Sequence, residues 1–228
     1  MSGEPLQYLL GKWEFYGYPF KVGKGVLIPR PETEMLVDYA LEFCQSHSNS
    51  IVLDLCSGSG CVGISIAKKA GVSVVAVEKS QAALSYLYQN VDLNNISDKV
   101  KVLEGDVLDS SLPAQLVPAT AASLILINPP YLSEAEMLEL QEEVTYEPAS
   151  ALLGGGSDGL DFYRRFFTVW KDALNLEYVG FACEVGDGQA NAVCALLHEL
   201  GIAAEVLQDF SGIDRVIVKT VIERHKTT

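Results

Sequence analysis

The sequence predicts one α/β domain built on a seven-stranded, mostly parallel sheet whose last strand runs antiparallel to the rest. Three observations predict it. Short apolar runs alternate with stretches at helical spacing through most of the 228 residues, and such strand–helix–strand crossovers force neighbouring strands parallel. A glycine-rich turn, Gly58-Ser59-Gly60, joins one apolar run to the helix that follows. The two final apolar runs are separated by Asp209-Phe210-Ser211-Gly212, a span short enough for a hairpin, which reverses the last strand.

Residues 1–30 form a linker and hairpin: Tyr8, Trp13, Phe15, Tyr16, Tyr18 and Phe20 are broken up by Gly and Pro, which does not suit a long helix. From Pro31 a helical stripe of Met35, Leu36, Tyr39, Ala40 and Phe43 begins, with proline at its start and Glu32 and Glu34 in its first turn. Ile51–Leu55 is the first central strand; after the glycine turn, Val62, Ile64, Ile66 and Ala67 mark a helix that ends in Lys68 and Lys69. A strand at 72–77, a helix over Gln81–Leu93, a strand at 100–103 and a strand at Ser123–Ile127, the end of an apolar run from Ala122, continue the alternation. Helices at 160–174 and 190–200 flank a strand at 178–183, and strands at 203–207 and 215–221 close the sheet. The catalytic domain is read as 31–222, and the polar tail 223–228 is assigned no function.

Composition narrows the partners. With 49% hydrophobic residues the chain can bury a substantial core, while 30 acidic against 16 basic residues give a net charge of -14. Stable binding to nucleic acid normally needs Lys and Arg to displace counterions, so a protein with basic character fits better. The five cysteines show no paired spacing and are read as reduced thiols of a cytoplasmic protein. No signal-like N-terminus or membrane-length apolar run is present, so no membrane partner is expected. His47, His198 and His225 lack ligand spacing, and no metal is expected.

Residues 58–63, Gly-Ser-Gly-Cys-Val-Gly, are a literal GxGxxG between strand and helix, with Glu78 at the end of the next strand. Gly58 and Gly60 let the backbone approach a ligand, and Glu78 is placed to accept from ribose hydroxyls. That pattern serves NAD and S-adenosylmethionine alike. Asp54, four residues before Gly58, favours the second, because a carboxylate suits a methionyl ammonium and not a pyrophosphate. Asp106, with Val107 beside it, is positioned to take a hydrogen bond from an adenine amino group, or else stabilises its turn or caps a helix.

After the strand at Ser123–Ile127 comes Asn128-Pro129-Pro130-Tyr131. An amide or exocyclic amino nitrogen is a poor nucleophile, and an enzyme that alkylates it must hold both hydrogens with acceptors. Asn128 Oδ1 and the Pro129 carbonyl are suitable, the two prolines remove competing donors, and Tyr131 is expected against the planar group. On its own the tetrapeptide also fits a proline-stiffened loop with a packed tyrosine. Rival functions are an N6-adenine methyltransferase acting on DNA or RNA, which the acidic balance opposes, a cofactor-binding scaffold without turnover, and a dehydrogenase.

The motif set resembles the protein-glutamine N5-methyltransferases of peptide chain release factors, the HemK/PrmC family. Gly3 to Tyr8, Glu14-Phe15-Tyr16-Gly17, and above all Leu27-Ile28-Pro29-Arg30-Pro31-Glu32-Thr33-Glu34 are similar to that family's linker, hairpin and signature loop. Glu147-Pro148, Leu153-Gly154-Gly155, the run Asp158 to Arg164, and Phe210 to Arg215 are similar to its later segments. The resemblance implies a Rossmann-like class I methyltransferase that uses S-adenosyl-L-methionine and modifies the glutamine of a release factor's GGQ tripeptide. It implies cofactor contacts at Cys56, Ser57, Gly58, Ser59, Gly60, Glu78, Val107 and Asn128, and glutamine binding by Asn128, Pro129, Pro130 and Tyr131. Two departures stand out: the chain opens at the linker without the family's helical N-terminal domain, and Cys56 stands where the family commonly has Gly. Arg30, Glu32 and Glu34 are assigned either to the site or to ion pairing and the helix start; Asp158 and Arg164 are read as a helix start and a solvated face.

Overall fold

The computed structural model describes residues 3–47, 49–118 and 123–219. The end of the expected last strand, the tail at 223–228, Ala122 and His225 lie outside the described residues. A short helix α1 (Leu6–Leu10) stops at Gly11, whose φ of 67° turns its N–H back to the Tyr8 carbonyl. Strands β1 (Lys12–Phe15) and β2 (Tyr18–Lys21) then pair around Tyr16 and Gly17, both at positive φ as a tight hairpin requires. Phe15 and Phe20 are buried against the main core. Buried Asn90 ties this hairpin to the glycine turn: its Oδ1 accepts from Lys21 N at 2.6 Å, and its Nδ2 donates to the carbonyls of Lys21 and Ser59.

The helix expected from Pro31 starts later. Arg30 is extended, as a residue before proline prefers, and Pro31–Thr33 form a tight 3-10 turn that leads into α2 (Glu34–Ser46). The remaining elements are β3 (Ile51–Leu55), α3 (Cys61–Ala70), β4 (Ser73–Glu78), α4 (Gln81–Leu93), β5 (Val100–Glu104), α5 (Leu112–Leu116), β6 (Ser123–Ile127), α6 (Asp161–Leu174), β7 (Val179–Glu184), α7 (Ala190–Glu199), β8 (Ala204–Gln208) and β9 (Asp214–Lys219). The five-residue helices α1 and α5 were not anticipated, nor were the 3-10 turns at Glu136–Leu138, Val144–Tyr146 and Ala149–Ala151.

The sheet runs β5-β4-β3-β6-β7-β9-β8, and only β9 opposes the rest. The chain winds outward from β3 to β5 and then returns to place β6 on the other side of β3. That reversal opens a crevice at the carboxyl ends of β3 and β6, where open α/β sheets bind ligands. Two cores sandwich the sheet: Leu36, Val37, Ile64, Ile66 and Leu87 from α2, α3 and α4 on one face, and the α6 and α7 side chains on the other. On α6, Phe162, Phe166 and Trp170 recur every four residues and stack in series, with Phe166 and Trp170 centroids 5.6 Å apart. Burying each such ring contributes on the order of 2–3 kcal/mol before ordering costs. No helix among the described residues is long and apolar enough to cross a membrane.

Candidate active site

Sheet register builds the site. Val77 pairs with Leu55, Leu55 with Ile127, and Ile127 with Cys183, so the next residues, Glu78, Cys56, Asn128 and Glu184, end four adjacent strands in one row. A cavity of about 550 Å³ opens along this carboxyl edge, a size that suits a nucleoside-containing ligand.

The glycine turn forms one wall. Gly58 and Gly60 have φ of 55° and 81°, and a Cβ on Gly60 would run into the Leu87 side chain. Ser57 Oγ donates to the Asp54 carbonyl at 2.6 Å, which pins the strand end. Asp54 is buried and accepts from Gly63 N–H at 3.0 Å. A Cβ on Gly63 would lie 2.8 Å from that carboxylate oxygen, so the third glycine lets α3 approach β3 closely. Burial pushes the Asp54 carboxyl up to about 7, opposed by the Gly63 and Ser57 hydrogen bonds. Cys56 adopts φ 58°, the left-handed conformation that glycine takes readily; a side chain there costs ~1 kcal/mol. Cys56 lines the cavity, and desolvation pushes its thiol up, which disfavours the nucleophilic thiolate.

Glu78 spends three acceptor sites on backbone: Oε2 accepts from Gly58 N at 2.9 Å, and Oε1 from Lys79 N and Ser80 N at 2.8 and 2.7 Å. A carboxylate has about four such sites, so one is left for a ligand. Farther along, Gly105 and Val107 line the cavity, and the Val107 carbonyl accepts from buried Trp170 Nε1 at 2.8 Å. Asp106 is exposed and is not among the lining residues. Its carboxylate takes Leu108 N–H at 2.9 Å and sits 3.6 Å from Lys79 Nζ, the turn role the sequence also allowed. Gly60 supports the turn from behind without lining the cavity.

Opposite the turn, Asn128 and Pro130 line the cavity, whereas Pro129 and Tyr131 are not among its lining residues. Tyr131 is held through its backbone: its N–H donates to the Leu152 carbonyl at 3.1 Å, and its carbonyl accepts from Gln189 Nε2 at 2.8 Å. Burial, with Glu184 and Glu32 nearby, pushes its phenol up. Leu132 N–H donates to the Leu152 carbonyl and Gly154 N–H to the Leu132 carbonyl around an isolated Leu132–Leu153 bridge, and these bonds fasten the loop.

Asn128 Nδ2 donates to Thr33 Oγ1 at 3.1 Å, and Thr33 Oγ1 donates to Glu184 Oε2 at 2.6 Å. Both Thr33 and Glu184 are buried. Burial pushes the Glu184 carboxyl up to about 7; Glu32 adds to this, while Thr33, Arg215 and Asn128 oppose it. Neither residue was singled out from sequence. Thr33 was available inside the signature octapeptide, and Glu184 as an acidic residue directly after a predicted strand.

Arg30 and Glu34 of the signature loop have structural partners. Arg30 pairs with Glu147, whose second oxygen accepts from Ile28 N at 2.9 Å. Glu34 accepts from Tyr16 N at 2.8 Å. Asp158 accepts from Leu160 N and pairs with Arg164, which also reaches Asp161, an exposed network at the start of α6. Among the described residues, no group of three or more His, Cys, Asp or Glu is placed to hold a metal ion.

The family model described as Conserved hypothetical protein 95 matches residues 17–152. The chain is similar to the release factor glutamine methyltransferase of Thermodesulfovibrio yellowstonii, 41% identical over 96% of this chain and 77% of that one. It is also similar to the proteins of the same name from Clostridium acetobutylicum, 39% identical over 94% and 74% of the two chains, and Bacillus subtilis, 39% over 95% and 75%. Among solved structures, the catalytic domain of hMettl16 in complex with a MAT2A 3'UTR hairpin superposes with a TM-score of 0.69 at 17% identity, over 91% of this chain and 77% of that one. The N-terminal domain of human METTL16 in complex with SAH gives 0.61 at 16%, over 87% and 74%. At these identities the structural likeness speaks for the class I methyltransferase fold alone. Identity and coverage together establish that the chain belongs to the release factor glutamine methyltransferase family.

Proposed function

We propose that this chain transfers a methyl group from S-adenosylmethionine to the side-chain amide nitrogen, N5, of a glutamine in a peptide chain release factor, the GGQ glutamine being the target that the resemblance implies. One observation carries the reading. Asn128 lines the cavity with its NH2 engaged by Thr33 at 3.1 Å, so the oxygen of its amide is the group offered to a guest. A glutamine amide keeps its nitrogen lone pair in the π system. Acceptors drawing on both hydrogens favour its release and meet the positive charge that develops on nitrogen. The Pro129 carbonyl is the proposed second acceptor, in a loop where two prolines bring no N–H to compete. Positioning and electrostatics do the work, and the surplus proton leaves after transfer.

The residues fit the cofactor. Asp54 offers a buried carboxylate for the methionyl ammonium, Glu78 keeps one acceptor site for ribose, Gly58 leaves room for close approach, and Val107, which lines the same cavity, is the proposed neighbour of the adenine ring. When bound, S-adenosylmethionine supplies an activated methyl group on a sulfonium sulfur. The names of the relatives support a release factor as substrate.

The test is Asn128→Ala. Methylation of intact release factor should fall by about 10²-fold or more, while S-adenosylmethionine affinity, measured by calorimetry, changes far less. Mass spectrometry should find one added methyl on a release-factor glutamine. Label transferred only to an adenine-containing oligonucleotide would sink the proposal.

A further inference from the structure

We infer that Thr33 and Glu184 are positioning residues for the methyl transfer, a hydrogen-bonded pair that fixes the Asn128 carboxamide with its oxygen available to the cavity. The inference rests on the proposed glutamine methylation and assigns two more residues to that site. Glu184 Oε2 lies 2.6 Å from Thr33 Oγ1, and an ionised carboxylate can only accept. The single hydroxyl proton of Thr33 is therefore committed to Glu184. What Oγ1 presents to Asn128, 3.1 Å away, is a lone pair, and only the NH2 of the amide can meet it. Turned over, Asn128 would set oxygen against oxygen with no proton between them, in a part-buried site where a lost hydrogen bond is costly. The chain of donors also polarises the Asn128 amide and strengthens its oxygen as an acceptor.

Placement supports the assignment. Glu184 ends β7 in the same row as Asn128, which directly follows β6, and Thr33 reaches that row from the signature loop 95 residues earlier in the chain. A carboxylate buried at 1% exposure needs a function or dedicated partners to offset its desolvation. The charged and titratable groups that face it are Glu32 on the 3-10 turn, Arg215 on β9, Tyr131 on the catalytic loop, Tyr163 on α6, Cys61 on α3 and its neighbour Cys183. Once protonated, Glu184 becomes a donor to Thr33, whose own proton is freed to point at Asn128, and the constraint on the amide is lost. Burial brings this titration up to about 7.

Three variants test the inference on the intact chain, with intact release factor and S-adenosylmethionine: Thr33→Val, Thr33→Ser and Glu184→Gln. Thr33→Val keeps the shape and removes the hydroxyl; its kcat should drop about 10–100-fold, with cofactor Kd changed by less than about threefold. Thr33→Ser should recover most of the loss. The wild-type kcat should rise with pH through the region of 7, and Glu184→Gln should show reduced kcat without that rise. A folded Thr33→Val with wild-type kcat overturns the inference, as does a Thr33→Ser variant no better than Thr33→Val. Should Thr33→Val fail to fold, Glu184→Gln decides alone: wild-type kcat with the same pH rise overturns the inference, and reduced kcat without the rise upholds it. A wild-type chain that binds S-adenosylmethionine but leaves every release factor unmethylated overturns the proposed function instead.

Discussion

Replacing Gly154 by Ala should damage turnover far more than it damages folding. Gly154 lies on the segment that returns onto the catalytic loop; its N–H donates to the Leu132 carbonyl at 2.9 Å, and its carbonyl accepts from Phe162 N at 2.9 Å. A methyl group there would sit 2.8 Å from the Tyr131 Cα and 2.9 Å from the Pro130 carbonyl oxygen, with the Gly159 carbonyl oxygen nearer still. All three are backbone atoms, so no rotamer change relieves the overlap. Reaching ordinary contact at 3.4 Å requires the loop to move by about half an ångström or more, which already exceeds the tolerance for a working catalytic group. Overpacking of this kind costs ~1–3 kcal/mol of stability, and a displacement approaching 1 Å costs about 10²-fold in rate. Asp54, Glu78 and the glycine turn belong to other strands, so cofactor affinity should stay within about fivefold. Thermal melting, calorimetry with S-adenosylmethionine and labelled methyl transfer to release factor measure the three quantities. A folded Gly154→Ala variant with undiminished kcat would refute the claim that this glycine sets the loop.

Glu147→Gln leaves Arg30 without its counter-charge and loosens the signature loop; about 2 kcal/mol should be lost, less than for a fully enclosed pair because Arg30 is 29% exposed. Urea titration checks this, and a loss below about 0.5 kcal/mol contradicts it. Trp170→Phe removes the 2.8 Å bond to the Val107 carbonyl and opens a void, and should cost about 2–4 kcal/mol; an unchanged denaturation midpoint would count against the contact. Asp54 has its pKa raised by burial from 3.8 to about 7, so the folded chain keeps a proton that the unfolded chain releases above its lower pKa. Its contribution to stability therefore falls as pH rises between those two values and is level above about 7. An ammonium beside Asp54 favours the ionised form, so S-adenosylmethionine affinity should rise with pH up to about 7 and then level off, with proton release on binding. Calorimetry in two buffers of different ionisation enthalpy reads this directly; pH-independent affinity without proton release would remove Asp54 from the ammonium site.

Much of the fold was legible because its signals are local. Strand and helix alternation depends on side-chain periodicity within a few residues, and the predicted boundaries fall within a residue or so for most central elements. The helix at Pro31 was placed early because proline and an acidic first turn mark a helix start but do not separate an α-turn from a 3-10 turn. The short α5 offers too few residues for any periodicity. Within the candidate site, Asp54, Glu78 and Asn128 could be singled out because each lies at or next to the end of a recognisable strand, Asp54 just ahead of the glycine turn, and the register sets Glu78 and Asn128 in one row at the edge of the sheet.

The sequence by itself determined the doubly wound sheet, the reversed last strand, the glycine turn and the loop proposed to hold a planar nitrogen, since all of these follow from runs of neighbouring residues. Tertiary structure alone decided which way Asn128 faces. That depends on a hydroxyl and a carboxylate, Thr33 and Glu184, separated by 151 residues and joined by one 2.6 Å hydrogen bond. It also set Asp106 outside the cavity and Gly154 against the loop backbone. Contacts of this kind arise from packing between elements, and chain spacing carries no record of them.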